Sequence, residues 1–346
     1  QATSTPTRGR SQYSSNHCAA AEKGETRMIF ASILIDNILT APVIAFVVAL
    51  IATLLRFDLR IPEALYPILS TFLLLAIGIK GGKALTVASP AELWKPLLAA
   101  LAIGIITPLI AYSLFRKVGN LDITNAAALA AHYGSVSAVT FTVLLSTLDS
   151  HGITYEGFVS GLLAVLEIVG IVVALFLASK FSAGTDWKSG LSEVVRGKSI
   201  AFLVAGLLIG AIVGPDRLAP TDPLFVGLFS GALTFFLIEL GAIAANRLRD
   251  FNGAGIRVVV LAIVVPLING SIGAVLGSTA GMSVGGVAVM ATLAASASYI
   301  AAPAAIRIAL PKASPGIYVT ASLGITFPFN LIVGIPLYIK IAEFLG

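Results

Sequence analysis

Ala131-His132-Tyr133-Gly134-Ser135-Val136-Ser137-Ala138-Val139-Thr140 and Ala294-Ala295-Ser296-Ala297-Ser298-Tyr299-Ile300-Ala301-Ala302-Pro303 decide the reading of this chain. Both are small, hydroxyl-bearing interruptions inside apolar runs. Each carries two serines two residues apart, Ser135 and Ser137 in the first, Ser296 and Ser298 in the second. On a continuous helix such residues point to different sides, whereas on extended backbone they share one. The spacing predicts locally unwound chain, tolerated at membrane depth only where it is buried in protein or lines a cavity. Two half-helix ends meeting there offer free N–H groups and positive dipole ends, which suit an anion. Small residues also let transmembrane helices approach closely, so either stretch alone reads as packing. The matched pair reads as a site.

Composition sets the surroundings. The 346 residues are 57% hydrophobic and 11% charged, with a mean hydropathy of +0.97. Soluble domains carry about 25% charged residues. Several apolar runs reach the roughly 20 residues that span a bilayer, so the chain is an all-α polytopic membrane protein. The net charge of +5 does not point to nucleic acid, because Lys and Arg sit between the apolar runs. Cys18 is the single cysteine, which excludes an intramolecular disulfide framework, and the three histidines lack metal-ligand spacing. No acid orients His132 beside the serines, and there is no Gly-x-Ser-x-Gly elbow or Walker motif. Enzyme chemistry, a resident cofactor and nucleotide-driven pumping therefore find no support. Residues 1–27 are rich in Ser, Thr and Arg and precede Met28. They read as a disordered tail, whether transit-like, an expression remnant or a mis-called start.

In chain order, Met28–Ile38 reads as a short amphipathic interfacial stretch, and ten spans follow. They are Leu39–Phe57, Ala64–Lys80, Trp94–Phe115, Ile123–Leu148 and Gly157–Lys180, then Lys198–Gly214, Pro223–Ala245, Gly255–Thr279, Val284–Ile308 and Ile317–Leu345. A polar linker, 181–197, separates a first repeat (28–180) from a second (198–346). Five motifs return in order. Ile44-Ala45-Phe46 is echoed by Ile200-Ala201-Phe202, Phe72 through Gly78 by Phe235 through Gly241, and Pro108-Leu109-Ile110 by Pro266-Leu267-Ile268. Ser135-x-Ser137 returns as Ser296-x-Ser298, and Ile168-Val169-Gly170-Ile171 as Ile332-Val333-Gly334-Ile335. The offsets lie between 156 and 164, which chance explains poorly. Five spans per repeat force the halves into opposite orientations. Inverted repeats with interrupted helices four and nine are the signature of a secondary transporter. The side holding the linker carries thirteen Lys and Arg and the other side five, leaving out the tail. That bias puts the linker in the cytoplasm and both termini outside.

Polar residues at membrane depth are the next signal. Glu167 and Glu239 lie mid-span, where a carboxylate is costly and by default functional. His132 fits a proton relay or an anion donor, and equally a satisfied core histidine. Asn269 and Asn330 read as helix bridges, and Lys80, Arg257 and Arg307 as side chains that snorkel. Pro108, Pro266, Pro328 and Pro336 read as kinks.

Ile61-Pro62-Glu63-Ala64, Gly78-Ile79-Lys80-Gly81-Gly82 and Gly134-Ser135-Val136-Ser137 resemble the cyanobacterial sodium-dependent bicarbonate transporters, the SbtA-like permeases. So do Pro311-Lys312-Ala313-Ser314-Pro315 and Gly334-Ile335-Pro336-Leu337. The resemblance covers the chain from Met28 onward. It implies a core and a gate domain, a homotrimer, and sodium-coupled bicarbonate uptake by an elevator movement in a plasma or inner membrane. An organelle envelope follows instead if residues 1–27 are a transit peptide. It also implies a PII-like cytoplasmic regulator meeting the linker region. The chain departs from the family pattern where Ala138-Val139 follow Ser137 and where Tyr299 stands in place of an Asp. On this reading Gly134, Ser135, Val136, Ser137, Ala138, Ser296, Ala297, Ser298 and Tyr299 hold the anion. Ser137, Thr140, Glu167 and Ser298 hold sodium, and His132 and Glu239 are the relay residues if protons drive transport. The alternatives are a sodium- or proton-coupled carrier of another small carboxylate, and a membrane receptor or scaffold for a cytoplasmic regulator.

Overall fold

The computed structural model describes residues 39–59, 61–62, 64–86, 88–181, 186–249 and 255–346. The expectations for residues 1–27, for Met28–Ile38 and for the middle of the linker fall outside these. The described residues form helices and turns with no strand. The helices are α1 (Ala41–Leu54), α2 (Leu65–Leu85), α3 (Pro90–Lys117), α4 (Ile123–Gly134), α5 (Ala138–Ser150), α6 (Val159–Phe181) and α7 (Trp187–Val195). They continue as α8 (Lys198–Val213), α9 (Phe229–Arg249), α10 (Gly255–Thr279), α11 (Val284–Ala295), α12 (Ala301–Ala309) and α13 (Pro315–Leu345). Among the described residues, seven segments are long and apolar enough to cross a membrane: α2, α3, α4 with α5, α6, α9, α10 and α13. The other expected spans are shorter. At 1.5 Å per residue the 14 residues of α1 reach about 21 Å, against a hydrocarbon core of about 30 Å. The 12 residues of α11 stop at the second interruption, and α8 meets α7 across a 43° bend.

Two groups of helices emerge from the packing. In one, α2 runs along α8 and α1 along α9, with α9 also against α2. In the other, α3, α4 and α6 pack mutually, as do α10, α11 and α13, and the two triplets meet through α10 and α3. Glycine sets the spacing in the first group. Gly78 and Gly82 on α2 face Gly206 and Gly210 on α8, each pair one turn apart on its own helix. A Cβ at Gly206 would stand 2.8 Å from the Gly78 Cα and 2.6 Å from the Leu75 carbonyl oxygen. Gly241 approaches α1 in the same way, its Cβ position lying 3.0 Å from the Leu50 nitrogen. Small-residue stripes substitute here for the hydrophobic drive that lipid does not supply.

Polar ties fix the ends of the second group. Asp122 caps α4, accepting from the Asn125 N–H at 3.0 Å, and Ser283 caps α11, accepting from the Gly286 N–H at 3.2 Å. Each capped end is also held by a loop from the other half of the chain. The Ser314 N–H donates to Asn125 Oδ1 at 2.8 Å, and the Ser283 N–H donates to Glu156 Oε1 at 2.6 Å.

Four expectations change. The seventh span begins at Phe229 rather than Pro223, because residues 215–227 form α, 3-10 and π turns around Pro215, Pro220 and Pro223. Part of the linker is helical: α7, capped by Asp186, packs on α12. Lys80 does not simply snorkel; its Nζ donates to Asp149 Oδ2 at 3.0 Å and to the Tyr155 hydroxyl. Along α13 the prolines do more than kink, since two π segments, Thr320–Thr326 and Asn330–Gly334, flank Phe327–Phe329. Pro328 and Pro336 lack the N–H that a regular helix would bond, so the ladder shifts register.

Val at position 206 is expected to lower stability by about 1–3 kcal/mol through overpacking, and to reduce the folded fraction in detergent. Gly161→Ala and Gly231→Ala, whose added methyls meet open space, should hold or raise the melting temperature. Thermal unfolding of the three purified variants checks this.

Candidate functional site

Both interruptions are real breaks in helical backbone. α4 ends at Gly134, Ser135 and Ser137 are extended (φ −91°, ψ 174° and φ −106°, ψ 110°), and α5 begins at Ala138. α11 ends at Ala295, Ser296 is extended (φ −78°, ψ 162°), and α12 begins at Ala301. Unwound backbone buried in protein needs partners for its polar groups. The two breaks supply them to each other. The Ser137 N–H donates to Ser296 Oγ at 2.9 Å, and the Ser298 N–H donates to the His132 carbonyl at 2.8 Å. Ser296 Oγ in turn donates to the Leu293 carbonyl.

Close packing holds this crossing in place. Gly134 lies against Pro108 of α3, where a Cβ would come within 2.6 Å of the proline ring. Gly170 of α6 backs directly onto the Gly134 carbonyl, leaving no room for a side chain. Asn330, in a π segment of α13, donates from Nδ2 to the Ala295 carbonyl at 2.9 Å and so holds the end of α11. The Tyr133 hydroxyl donates to Thr326 Oγ1, which donates to the Ala262 carbonyl, tying α4, α13 and α10 together.

Serine hydroxyls finish the two half-helices. Ser137 Oγ caps α5, accepting from the Thr140 N–H at 3.1 Å, and donates to the Tyr299 hydroxyl at 3.1 Å. Ser298 Oγ accepts from the Ala302 N–H at 3.2 Å at the start of α12. No described residue accepts the Ser298 or Tyr299 hydroxyl protons. Ser135 Oγ donates to the Glu167 carbonyl at 3.3 Å.

A small cavity lies where the crossing faces the α1, α2, α8 and α9 group. From the crossing it is lined by Val136, Ser137, Ala138, Val139, Thr142 and Glu167, and by Ser298, Tyr299 and Ile300. It gives about 20 Å³ to the centre of a water-sized sphere, room for about one water. Ala138 and Val139 contribute the first amides of α5, which have no intrahelical acceptor. Glu167 is 4% exposed, and no described residue hydrogen-bonds its carboxylate. The site thus joins a positive helix end to an unpartnered buried carboxylate.

Of the residues expected to hold an anion, Gly134, Ser135, Ser296 and Ala297 do not line the cavity and instead build the crossing. Among the cation candidates Ser137, Glu167 and Ser298 line it, while Thr140 stands behind the Ser137 cap. His132 is fully buried, donates from Nδ1 to the Ala128 carbonyl at 2.7 Å, and leaves Nε2 without a partner. Its ring lies 4.6 Å from that of Tyr318, away from the cavity lining. Glu239 also stands outside the lining, its Oε2 accepting from the Ile61 N–H at 3.1 Å. Ser70, Ser199 and Phe236 line the opposite wall and carry no signal in the sequence, since each reads as an ordinary position on an apolar helix.

A family model for the Na+-dependent bicarbonate transporter superfamily matches residues 41–343. The chain belongs to that superfamily. No curated protein matches the sequence. The match spans both breaks and every residue of the cavity, so the site lies wholly within the region that defines the family.

Ser296→Ala removes the acceptor for the buried Ser137 N–H and is expected to cost about 1–3 kcal/mol. Ser271, exposed on α10 and bonded to its own Leu267 carbonyl, should tolerate Ala with little change. Paired thermal melts give the difference, and equal melting temperatures would show that the crossing does not depend on this bond.

Proposed function

We propose that the chain is a secondary transporter that imports bicarbonate with sodium, and that the cavity at the crossing is its substrate site. The observation that carries this reading is the pairing of free helix-end amides with an unpartnered buried carboxylate. The amides of Ala138 and Val139, with the Ser298 and Tyr299 hydroxyls, suit an oxyanion. The Glu167 carboxylate, the Ser137 and Ser298 oxygens and the backbone carbonyls of the breaks suit a hard cation, which takes oxygen ligands. Both ions then meet in one pocket. A cavity with room for about one water must widen to admit bicarbonate, so loading and movement are linked.

The mirrored packing supports ten spans in two inverted repeats. α2 against α8 corresponds to α9 against α1, and the tie from Asn125 to Ser314 corresponds to that from Ser283 to Glu156. The site lies between two helix groups, which fits an elevator in which the breaks and their supporting helices move past α1, α2, α8 and α9. The family membership supports a homotrimer and a PII-like regulator near the connection between α6 and α8. The Lys and Arg bias supports a cytoplasmic connection with both termini outside. The unpartnered Glu167 also suits a proton, so a proton-coupled carrier of the same anion is the second reading.

Radiolabelled bicarbonate uptake into proteoliposomes, with and without an inward sodium gradient, tests the reading. Sodium-stimulated uptake is expected, and no stimulation by sodium would reject that coupling. Glu167→Gln should abolish the sodium dependence. If protons drive transport, the same variant should carry bicarbonate without responding to a pH gradient. Ser298→Ala removes one charge-assisted donor and should raise the apparent KM about tenfold.

A further inference from the structure

The wall facing the breaks is apolar except at two points. On α2, Ser70 shares one helical face with Leu73, Leu74 and Ile77, spaced i, i+3, i+4 and i+7, and all four line the cavity. On α8, Ser199 lines it from the first turn. Serine on a helix ordinarily returns its proton to a carbonyl of its own preceding turn. Thr71, the next residue along, does this, donating to the Pro67 and Ile68 carbonyls, and so do Ser271 and Ser322. Ser70 and Ser199 form no such bond, and no described residue accepts from either hydroxyl. Ser199 is nonetheless 9% exposed, and the cavity is what its side chain meets. The α8 N-terminus beside it begins at Gly197, which has no side chain to cap the first amides.

We propose that Ser70, Ser199 and the first turn of α8 form the second wall of the anion site. This rests on the reading of the cavity as a bicarbonate site and adds who completes it. A planar oxyanion presents oxygens in three directions, so helix-end amides on one side leave an oxygen facing the other. The two hydroxyls are the donors available there. They stand on the helix group opposite the breaks, so the bound anion bridges both groups. Its affinity then depends on how the groups are placed relative to each other. A ligand with that difference in affinity shifts the conformational equilibrium by the same factor.

Bicarbonate uptake under a fixed sodium gradient, read as separate KM and Vmax, tests the inference on wild type, Ser70→Ala, Ser199→Ala and the double variant. Each single Ala variant is expected to raise KM about tenfold, the double variant further, with melting temperatures held. Ser70→Thr and Ser199→Thr keep the donor and should restore a KM near wild type. Unchanged KM in the double variant overturns the second wall while leaving the bicarbonate reading intact. An equal rise in the Ala and Thr variants also overturns it, because that marks packing rather than donation. Absence of bicarbonate uptake by wild type overturns the functional reading itself, whatever the variants do.

Discussion

Everything in this structure answers to one constraint: backbone that leaves a helix at membrane depth must find hydrogen-bond partners inside the protein. The two breaks meet that need by exchange, with the Ser137 N–H on Ser296 Oγ and the Ser298 N–H on the His132 carbonyl. Neither break is satisfied alone, so the crossing is a single unit built from both halves of the chain. The surrounding packing follows from it. Pro108 and Gly170 close on Gly134, and Asn330 holds the Ala295 carbonyl. Any side chain larger than hydrogen at Gly170 would collide with the Gly134 carbonyl, so the tightness of this region is part of its chemistry.

What the exchange leaves over is as informative as what it uses. The amides of Ser137 and Ser298 are spent on the crossing, and those at the start of α5 are left for the proposed anion. The hydroxyls of Ser135 and Ser296 are likewise internal, while Ser298 and Tyr299 keep protons to give. Tyr299, standing where the related pattern has an acid, joins the breaks by accepting from Ser137 and rests its ring edge-on against Phe327 at 5.1 Å. It is therefore a tie between the two half-helices first, and a neutral donor second.

The breaks were legible because Ser-x-Ser has a physical meaning on unwound chain that it lacks on a helix. Glycines 78 and 241, paired in the repeat, were legible as equivalents and turn out to serve equivalent helix contacts. The division of labour inside the breaks was not legible. Nothing in Ser135-Val136-Ser137 says which amide goes to the other break and which stays free, because that depends on a partner 159 residues away. Ser70 and Ser199 were invisible for a related reason. A serine in an apolar helix looks like packing until the facing helix is known, and only the shared lining shows that both meet the same cavity. The π segments of α13 are not legible in the sequence, since proline spacing reveals a missing donor but not how the ladder re-forms around it.

The charge arrangement shows why the two proposed ions depend on each other. An anion at the start of α5 gains from the helix dipole and free amides, yet it faces Glu167 across a cavity whose far wall is mostly Leu73, Leu74, Ile77 and Phe236. Apolar walls and a buried setting screen little, so two negative charges there repel more strongly than in water. A cation on the Glu167 carboxylate converts that repulsion into attraction and also supplies the partner that no described side chain provides. The preference is reciprocal, because a cation that favours the anion is by linkage favoured by it. Tyr299 matters to this balance by carrying no formal charge: the crossing keeps one carboxylate at the cavity rather than two, so fewer positive charges are needed to neutralise the loaded site. In the proposed cycle, coupling arises from the field inside one small cavity, where Ser298 and the bond from Ser137 to Tyr299 join the oxygens that hold the cation to the donors that hold the anion.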